Sequence, residues 1–306
     1  MFVRGKDIAG PVLLFLHGGP GMPEYFLDRT HPTGLDRDFV VCWWEQRGAG
    51  LSYGRSIPPE SVTVEQFISD TVAVTDYLRD RFQQDRIYLL GHSWGSFLGL
   101  QVAERAPDRY HAYIGMGQVS HQLASEKLAY EYELERFRND HNAEMVRKLE
   151  RAPVTMTTPM PRTYLKLRDQ VMHSLGVGTT RDMKSVVTGI FIPVWRTQDY
   201  TLSERLDVWR GKRFSRGLMW DTFVSTDLTK EVTELKIPVY FFHGEHDYTV
   251  SYSLAKAYFD QLQAPVKGFY TFRDSAHSPV FEEPERARRI LREDVMAGRT
   301  RLADNG

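Results

Sequence analysis

The chain has 306 residues, 39 Lys+Arg against 40 Asp+Glu, a formal net charge of -1, 42% hydrophobic and 26% charged residues, and one cysteine. That length suits one large domain or two modest ones, each able to bury its own core. The charge balance offers no global field for nucleic acid or an anionic membrane, and the lone Cys42 excludes a disulfide framework or multi-thiolate metal centre.

The opening residues, Met1-Phe2-Val3-Arg4-Gly5-Lys6, lack the basic, apolar, then small-residue succession of a secretory signal, so a cytoplasmic location is expected. Residues 12–16 (Val-Leu-Leu-Phe-Leu) form a continuous apolar run of the kind a parallel sheet buries on both faces, and residues 39–44 read likewise. Between 63 and 82 apolar residues recur mostly at spacings of three and four, a helix whose start carries Thr63 and Gln66 in capping-box spacing. Residues 87–90 make another short strand, 96–106 a helix stopped by Pro107, and 113–116 a further strand. From about 119 to 234 no comparable strand occurs, and helical patterns are broken at Pro153, Pro159 and Pro161. Strand-like runs resume at 237–242 and 266–272, each followed by a helical pattern, at 251–262 and 284–296. No run reaches the roughly 18 apolar residues that a membrane-spanning helix needs.

Strands alternating with helices predict an α/β fold, a mostly parallel sheet with helices on both faces. The expected division is a core domain from residues 1–118 and 235–306, with 119–234 inserted as a helical cap. Ligands of such sheets bind beyond the carboxyl ends of the strands. The unusual short motifs of this chain all fall there.

Gly91-His92-Ser93-Trp94-Gly95 follows the 87–90 strand and precedes a helical pattern, the setting of a G-x-S-x-G nucleophile turn. A serine at so tight a turn is held in strained backbone geometry with its hydroxyl above the sheet, and small neighbours at 91 and 95 let the turn close. The hydroxyl needs a base to become nucleophilic, and the base needs an orienting acid. The expected chain order is Ser, then Asp or Glu, then His. Asp247, in Gly244-Glu245-His246-Asp247 beyond the 237–242 strand, is the expected acid, ahead of Glu245, which comes earlier in the turn. His277, beyond the 266–272 strand and the only histidine after His246, is the expected base. His17-Gly18-Gly19-Pro20-Gly21 follows the first buried strand, and a glycine-rich turn can aim backbone N–H groups at an oxyanion; Gly19 and Trp94 are the expected donors. Hydrolysis by this set is expected to fall away below about pH 6–7, where an ordinary imidazole takes up a proton.

Competing readings are weaker. Neither G-x-G-x-x-G nor a terminal Gly-Lys-Ser/Thr is present, so the first glycine turn is a poor phosphate cradle. His243, His246 and Asp247 suggest a metal site, but a strand does not put i and i+3 on one face. Glu45-Gln46-Arg47-Gly48 is placed to anchor a loop near the site. Glu126, Glu131, Glu133 and Glu135 read as a solvated helix face before they read as holders of a substrate ammonium. Arg286, Arg288, Arg289 and Arg292 read as the outer face of the last helix. Trp195, Trp209 and Trp220 either line a pocket under the cap or form the cap's own core.

Together, His17-Gly18-Gly19-Pro20-Gly21, Glu45-Gln46-Arg47-Gly48, Gly91-His92-Ser93-Trp94-Gly95-Ser96, Gly244-Glu245-His246-Asp247 and His277-Ser278 resemble the proline iminopeptidases and their α/β-hydrolase relatives. The resemblance covers the sheet portion, about 190 residues in two pieces, with a helical block where a cap is expected. It implies an α/β-hydrolase fold and a Ser93–Asp247–His277 hydrolase with no metal or organic cofactor. It also implies removal of an N-terminal residue, often proline, from a short peptide or related small amide; the alternative is a carboxylesterase or amidase acting on a small non-peptide acyl substrate. The partner is then a small molecule or short peptide. Two departures bear on substrate: relatives usually carry Asp-Gln-Arg-Gly where this chain has Glu45, and Val208-Trp209-Arg210 is a poor match to the Trp–Glu segment of many proline iminopeptidase caps. The chain also begins nearer its first core strand than relatives commonly do, so one or two edge strands are expected to be missing.

Overall fold

Alternation along the apolar runs decides which face of the sheet each side chain joins. In the first run, Val12, Leu14 and Leu16 enter one buried cluster, while Leu13 and Phe15 enter another on the opposite face. All five are essentially sealed from solvent, which is why no polar residue interrupts them. The structure, a computed structural model, describes residues 1–304.

Strands β1 (Phe2–Arg4), β2 (Val12–Leu16), β3 (Val40–Trp44), β4 (Ile87–His92), β5 (Tyr110–Met116), β6 (Val239–Gly244) and β7 (Lys267–Phe272) form one seven-stranded sheet in the order β1-β3-β2-β4-β5-β6-β7. Pairing is parallel throughout except at the β1 edge, where Phe2 lies opposite Trp43 in antiparallel register. This edge strand was not among the runs singled out in the sequence. Three residues of alternating character are too short a run to announce a strand, and β1 forms because β3 supplies the hydrogen bonds.

The helices are α1 (Tyr25–Thr30), α2 (Val64–Phe82), α3 (Trp94–Arg105), α4 (Gln122–Asn139), α5 (Ala143–Glu150), α6 (Arg162–Ser174), α7 (Ile192–Arg196), α8 (Leu202–Ser225), α9 (Leu228–Glu231), α10 (Tyr252–Gln261), α11 (Pro279–Glu282) and α12 (Pro284–Ile290). Apolar side chains of α2, α3 and α10 pack on one face of the sheet, and those of α1, α11 and α12 on the other. At the start of α2 the Thr63 hydroxyl accepts the Gln66 N–H at 3.2 Å, but the reciprocal half of the expected capping box is absent. Gln66 turns to Asp70 instead, donating from Nε2 at 2.9 Å.

Among the described residues only helices α4 to α9, a π-helical turn at Val187–Phe191 and isolated bridges lie between β5 and β6. Both ends of that segment are pinned together: His121 bridges Asp227, and the Leu228 N–H donates to the Ser120 carbonyl at 2.9 Å. No helix among the described residues is long and apolar enough to cross a membrane.

Candidate functional site

Ser93 stands one residue beyond β4 with φ 55° and ψ -119°, a conformation a residue with a Cβ rarely adopts. Its own N–H donates to the Met116 carbonyl at 3.0 Å, and its carbonyl accepts the Ser96 and Phe97 N–H groups at 2.8 and 3.1 Å, so sheet and helix together hold the strained residue. The flanking glycines are demanded by close approach. A Cβ at Gly95 would stand 2.0 Å from the Leu16 carbonyl oxygen, and one at Gly91 would stand 2.2 Å from that of Gly95.

The loops beyond β6 and β7 bring Asp247 and His277 together. His277 Nδ1 donates to Asp247 Oδ2 at 2.8 Å, which leaves Nε2 of the neutral ring as the proton-accepting nitrogen. Asp247 Oδ1 accepts the Val250 N–H at 2.9 Å, and His243 Nε2 lies 3.3 Å from Oδ2. Burial alone would raise the Asp247 carboxyl, but His277 and His243 hold it well below the usual carboxylate range. Burial pushes His277 below the ordinary 6.5, helped by His92 and His243 and opposed by Asp247. Ser93 and His277 line one cavity of about 130 Å³, and the Ser93 hydroxyl makes no hydrogen bond of its own among the described residues.

His92, inside the serine motif, carries a buried ion pair that the sequence did not announce. Its Nδ1 donates to Glu24 Oε1 at 2.8 Å and its Nε2 to the His277 carbonyl at 2.8 Å. Both ring nitrogens therefore face acceptors and both carry protons. Burial opposes that charge, but the Glu24 charge and hydrogen bond outweigh it and raise His92 above the ordinary imidazole value. Glu24 Oε1 also accepts the Gly18 N–H at 3.1 Å, while its buried Oε2 has no partner.

The glycine turn after β2 is tied to the serine turn through Gln46. Trp94 Nε1 donates to Gln46 Oε1 at 2.8 Å, Gln46 Nε2 donates to the His17 carbonyl at 2.9 Å, and the Gln46 N–H donates to His17 Nε2 at 3.1 Å. Gly19 lines the cavity at φ +125°. Among the described residues its N–H and that of Trp94 donate to no backbone acceptor. Glu45 anchors the neighbouring loop, accepting from the Tyr200 hydroxyl and the Leu51 N–H, and burial raises its carboxyl. It does not line the cavity.

Helices α6 and α8 supply the opposite wall. Arg168, Asp169 and His173 come from α6, and Lys212, Arg216 and Trp220 from α8. The last three recur every fourth residue, so one face of α8 looks onto the cavity, a spacing visible in the sequence but not singled out there. Burial would raise Asp169, but Arg168, Lys212 and Arg216 hold it at about 2. Trp220 lines the cavity, whereas Trp195 and Trp209 pack against Phe191.

Two surface readings are corrected. Glu126 and Glu133 are fully buried, while Glu131 and Glu135 remain exposed. Glu126 accepts from Arg168 Nε at 2.9 and 2.7 Å on its two oxygens, a partner 42 residues away. Glu133 has no hydrogen-bond partner, and burial raises its carboxyl well above the ordinary value. Arg288 is likewise buried, donating to Asp38 at 2.8 Å, while Arg286, Arg289 and Arg292 stay outside. No cluster able to hold a metal ion occurs among the described residues.

Against known proteins, the family described as the alpha/beta hydrolase fold matches residues 11–284. A Bacillus subtilis protein named "Probable aminopeptidase YbaC" is 33% identical over 284 residues, covering 93% of this chain and 88% of that one. A proline iminopeptidase of Clostridioides difficile is 28% identical over 287 residues, covering 92% and 88%. The crystal structure of a Mycobacterium smegmatis proline iminopeptidase superposes with a TM-score of 0.67 at 18% identity over 96% of this chain and 91% of that one, a likeness of fold.

Proposed function

The chain belongs to the alpha/beta hydrolase fold family, and from that premise we propose that it is a serine aminopeptidase of the proline iminopeptidase type. The observation that carries this reading is His277, hydrogen-bonded to Asp247 behind it, sharing one cavity with Ser93 and with a carboxylate, Glu24, that has an oxygen to spare. On this reading His277 Nε2 takes the Ser93 hydroxyl proton as Oγ attacks the scissile carbonyl. The tetrahedral oxyanion rests on the Gly19 and Trp94 N–H groups, each such donor being worth about 10²–10³ in rate. His277 then passes its proton to the leaving amine as the C–N bond breaks, and water repeats the sequence on the acyl-enzyme. Glu24 Oε2 receives the ammonium of the N-terminal residue. The segment 119–234 acts as the cap that closes the site and sets the pocket.

An esterase or amidase acting on a small acyl group would use the same five residues without needing Glu24. Side-by-side assay of aminoacyl anilides and short acyl esters, on wild type and Ser93→Ala, separates the two. The expected result is cleavage of free-amine substrates, lost in Ser93→Ala by a factor on the order of 10⁶ in kcat. Cleavage of esters with no cleavage of any free-amine substrate would reject the aminopeptidase.

A further inference from the structure

Beyond the reacting centre, α6 and α8 enclose a groove of about 520 Å³ that shares Lys212, Arg216 and Trp220 with the catalytic cavity. Its charged lining is Arg162, Lys166, Lys212, Arg213 and Arg216 against a single carboxylate, Asp221. Among the described residues the one ion pair these cations make is Arg216 with Asp169, on the cavity side, at 3.9 Å; Lys212 feels the same carboxylate without touching it. Lys212 is half-buried at the junction of groove and cavity, where it has no hydrogen-bonded or ion-paired acceptor among the described residues. An ammonium drawn out of water without a close acceptor is unfavourable unless a ligand supplies one.

The tryptophans of this wall offer no acceptor either. The indole Nε1 atoms of Trp209 and Trp220 are buried and have no partner among the described residues, and an indole N–H can only donate. The Arg216 guanidinium lies 4.4 Å over the Trp220 ring. Groove and junction thus present cations in excess and few acceptors. A neutral or cationic ligand would leave them unmatched; an anionic oxygen group would satisfy them.

We propose that the groove binds a carboxylate on the leaving-group side of the substrate, held by Lys212 and Arg216, so that the enzyme selects short peptides carrying a negative charge there. This rests on the aminopeptidase reading, in which Glu24 takes the amine end and the remainder of the peptide leaves the cavity through the groove. The carboxylate is either the free chain terminus of a dipeptide or tripeptide or an acidic side chain just after the scissile bond.

Three dipeptides sharing one first residue test this: an X-alanine free acid, X-alanine amide and X-glutamate α-amide. Wild type is expected to prefer the free acid over the alanine amide by about tenfold or more in kcat/KM, mostly through KM. In Lys212→Met and Arg216→Met that ratio is expected to fall towards one, and a ratio is insensitive to general loss of activity. The glutamate amide assigns the source: matching the free acid, it marks a side-chain carboxylate, and matching the alanine amide, a chain terminus. Equal kcat/KM for all three in wild type, or a preference unchanged in both variants, overturns the proposal. If no dipeptide is cleaved, the aminopeptidase reading fails by itself. Titration of tryptophan fluorescence with acetyl-alanine-alanine and its amide then decides the groove: saturation by the acid alone, lost in Lys212→Met, upholds it, and equal responses overturn it.

Discussion

At the residue scale, the backbone of Ser93 and the ring of His92 do different work within one tripeptide. The left-handed conformation at Ser93 is strained by about 1–3 kcal/mol and persists because hydrogen bonds from β5 and α3 over-determine it. His92 reaches past the serine to the carbonyl of His277, and the two rings stand 4.6 Å apart. A charged ring so close disfavours a second positive charge, so His92 helps to keep His277 neutral. On the proposed mechanism, activity persists below the ordinary imidazole value of 6.5 and is lost as pH falls through the lowered value of His277. That places the acid limb lower than the motif alone suggested. Substitution His92→Gln is expected to move the limb of kcat/KM upward in pH, besides lowering kcat by up to about a hundredfold if the base is displaced by an ångström. A reduced kcat with an unmoved limb would show His92 to be a packing residue only. The serine turn and the loops of Asp247 and His277 were legible because each follows a buried apolar run. Glu24 was not, because its importance comes from a partner 68 residues away.

Elements differ in how much of their environment is written locally. The strands β2 to β7 could be read because burial on both faces excludes polar residues, and α2 because its apolar spacing is regular. On α4 Glu131 and Glu135 do form a solvated face, but Glu126 and Glu133 were misread as part of it. Charged residues are seldom buried without partners, and the partner here lies on α6. Arg168 neutralises Glu126 in the interior, so Arg168→Met leaves a buried carboxylate uncompensated. A destabilisation of about 3–5 kcal/mol is expected, larger than for the double variant Arg168→Met with Glu126→Leu. Urea unfolding of the singles and the double gives the coupling, and additive losses would contradict the pairing. Helix α8 was harder still to read. Its cavity face carries Lys212, Arg216 and Trp220, a polar stripe indistinguishable in sequence from a surface stripe until α6 and the sheet are set opposite it.

For the molecule as a whole, the sheet and the helical insertion meet at a small hydrogen-bonded junction beside His277. The His277 N–H donates to the Gly178 carbonyl at 3.2 Å, and the Arg181 N–H donates to Glu282 Oε2 at 2.7 Å. Glu282 Oε1 accepts the Ala276 N–H at 2.9 Å and the Ser278 N–H at 3.3 Å, so one carboxyl grips both sides. Burial raises Glu282 to about 7 from its ordinary 4.5, against the pull of these three donors. Between those values the folded chain holds a proton that the unfolded chain has released, so this group makes stability fall as pH rises through that window. Glu282→Gln is expected to lower stability by about 1–3 kcal/mol and to flatten this part of the profile. Thermal midpoints of both forms near pH 5 and near pH 8 check it; parallel profiles would dismiss Glu282 as the titrating group. No local pattern foretold this junction, since residues 178 and 181 are about a hundred positions from 277 and 282 in the chain. Its consequence is one of timing. If the roof lifts to admit a peptide, the same motion unfastens the imidazole's own main chain, and only when the roof settles is the base seated again. On the proposed reading, such an enzyme idles while it gapes, and its cutting edge is re-armed by the act of swallowing.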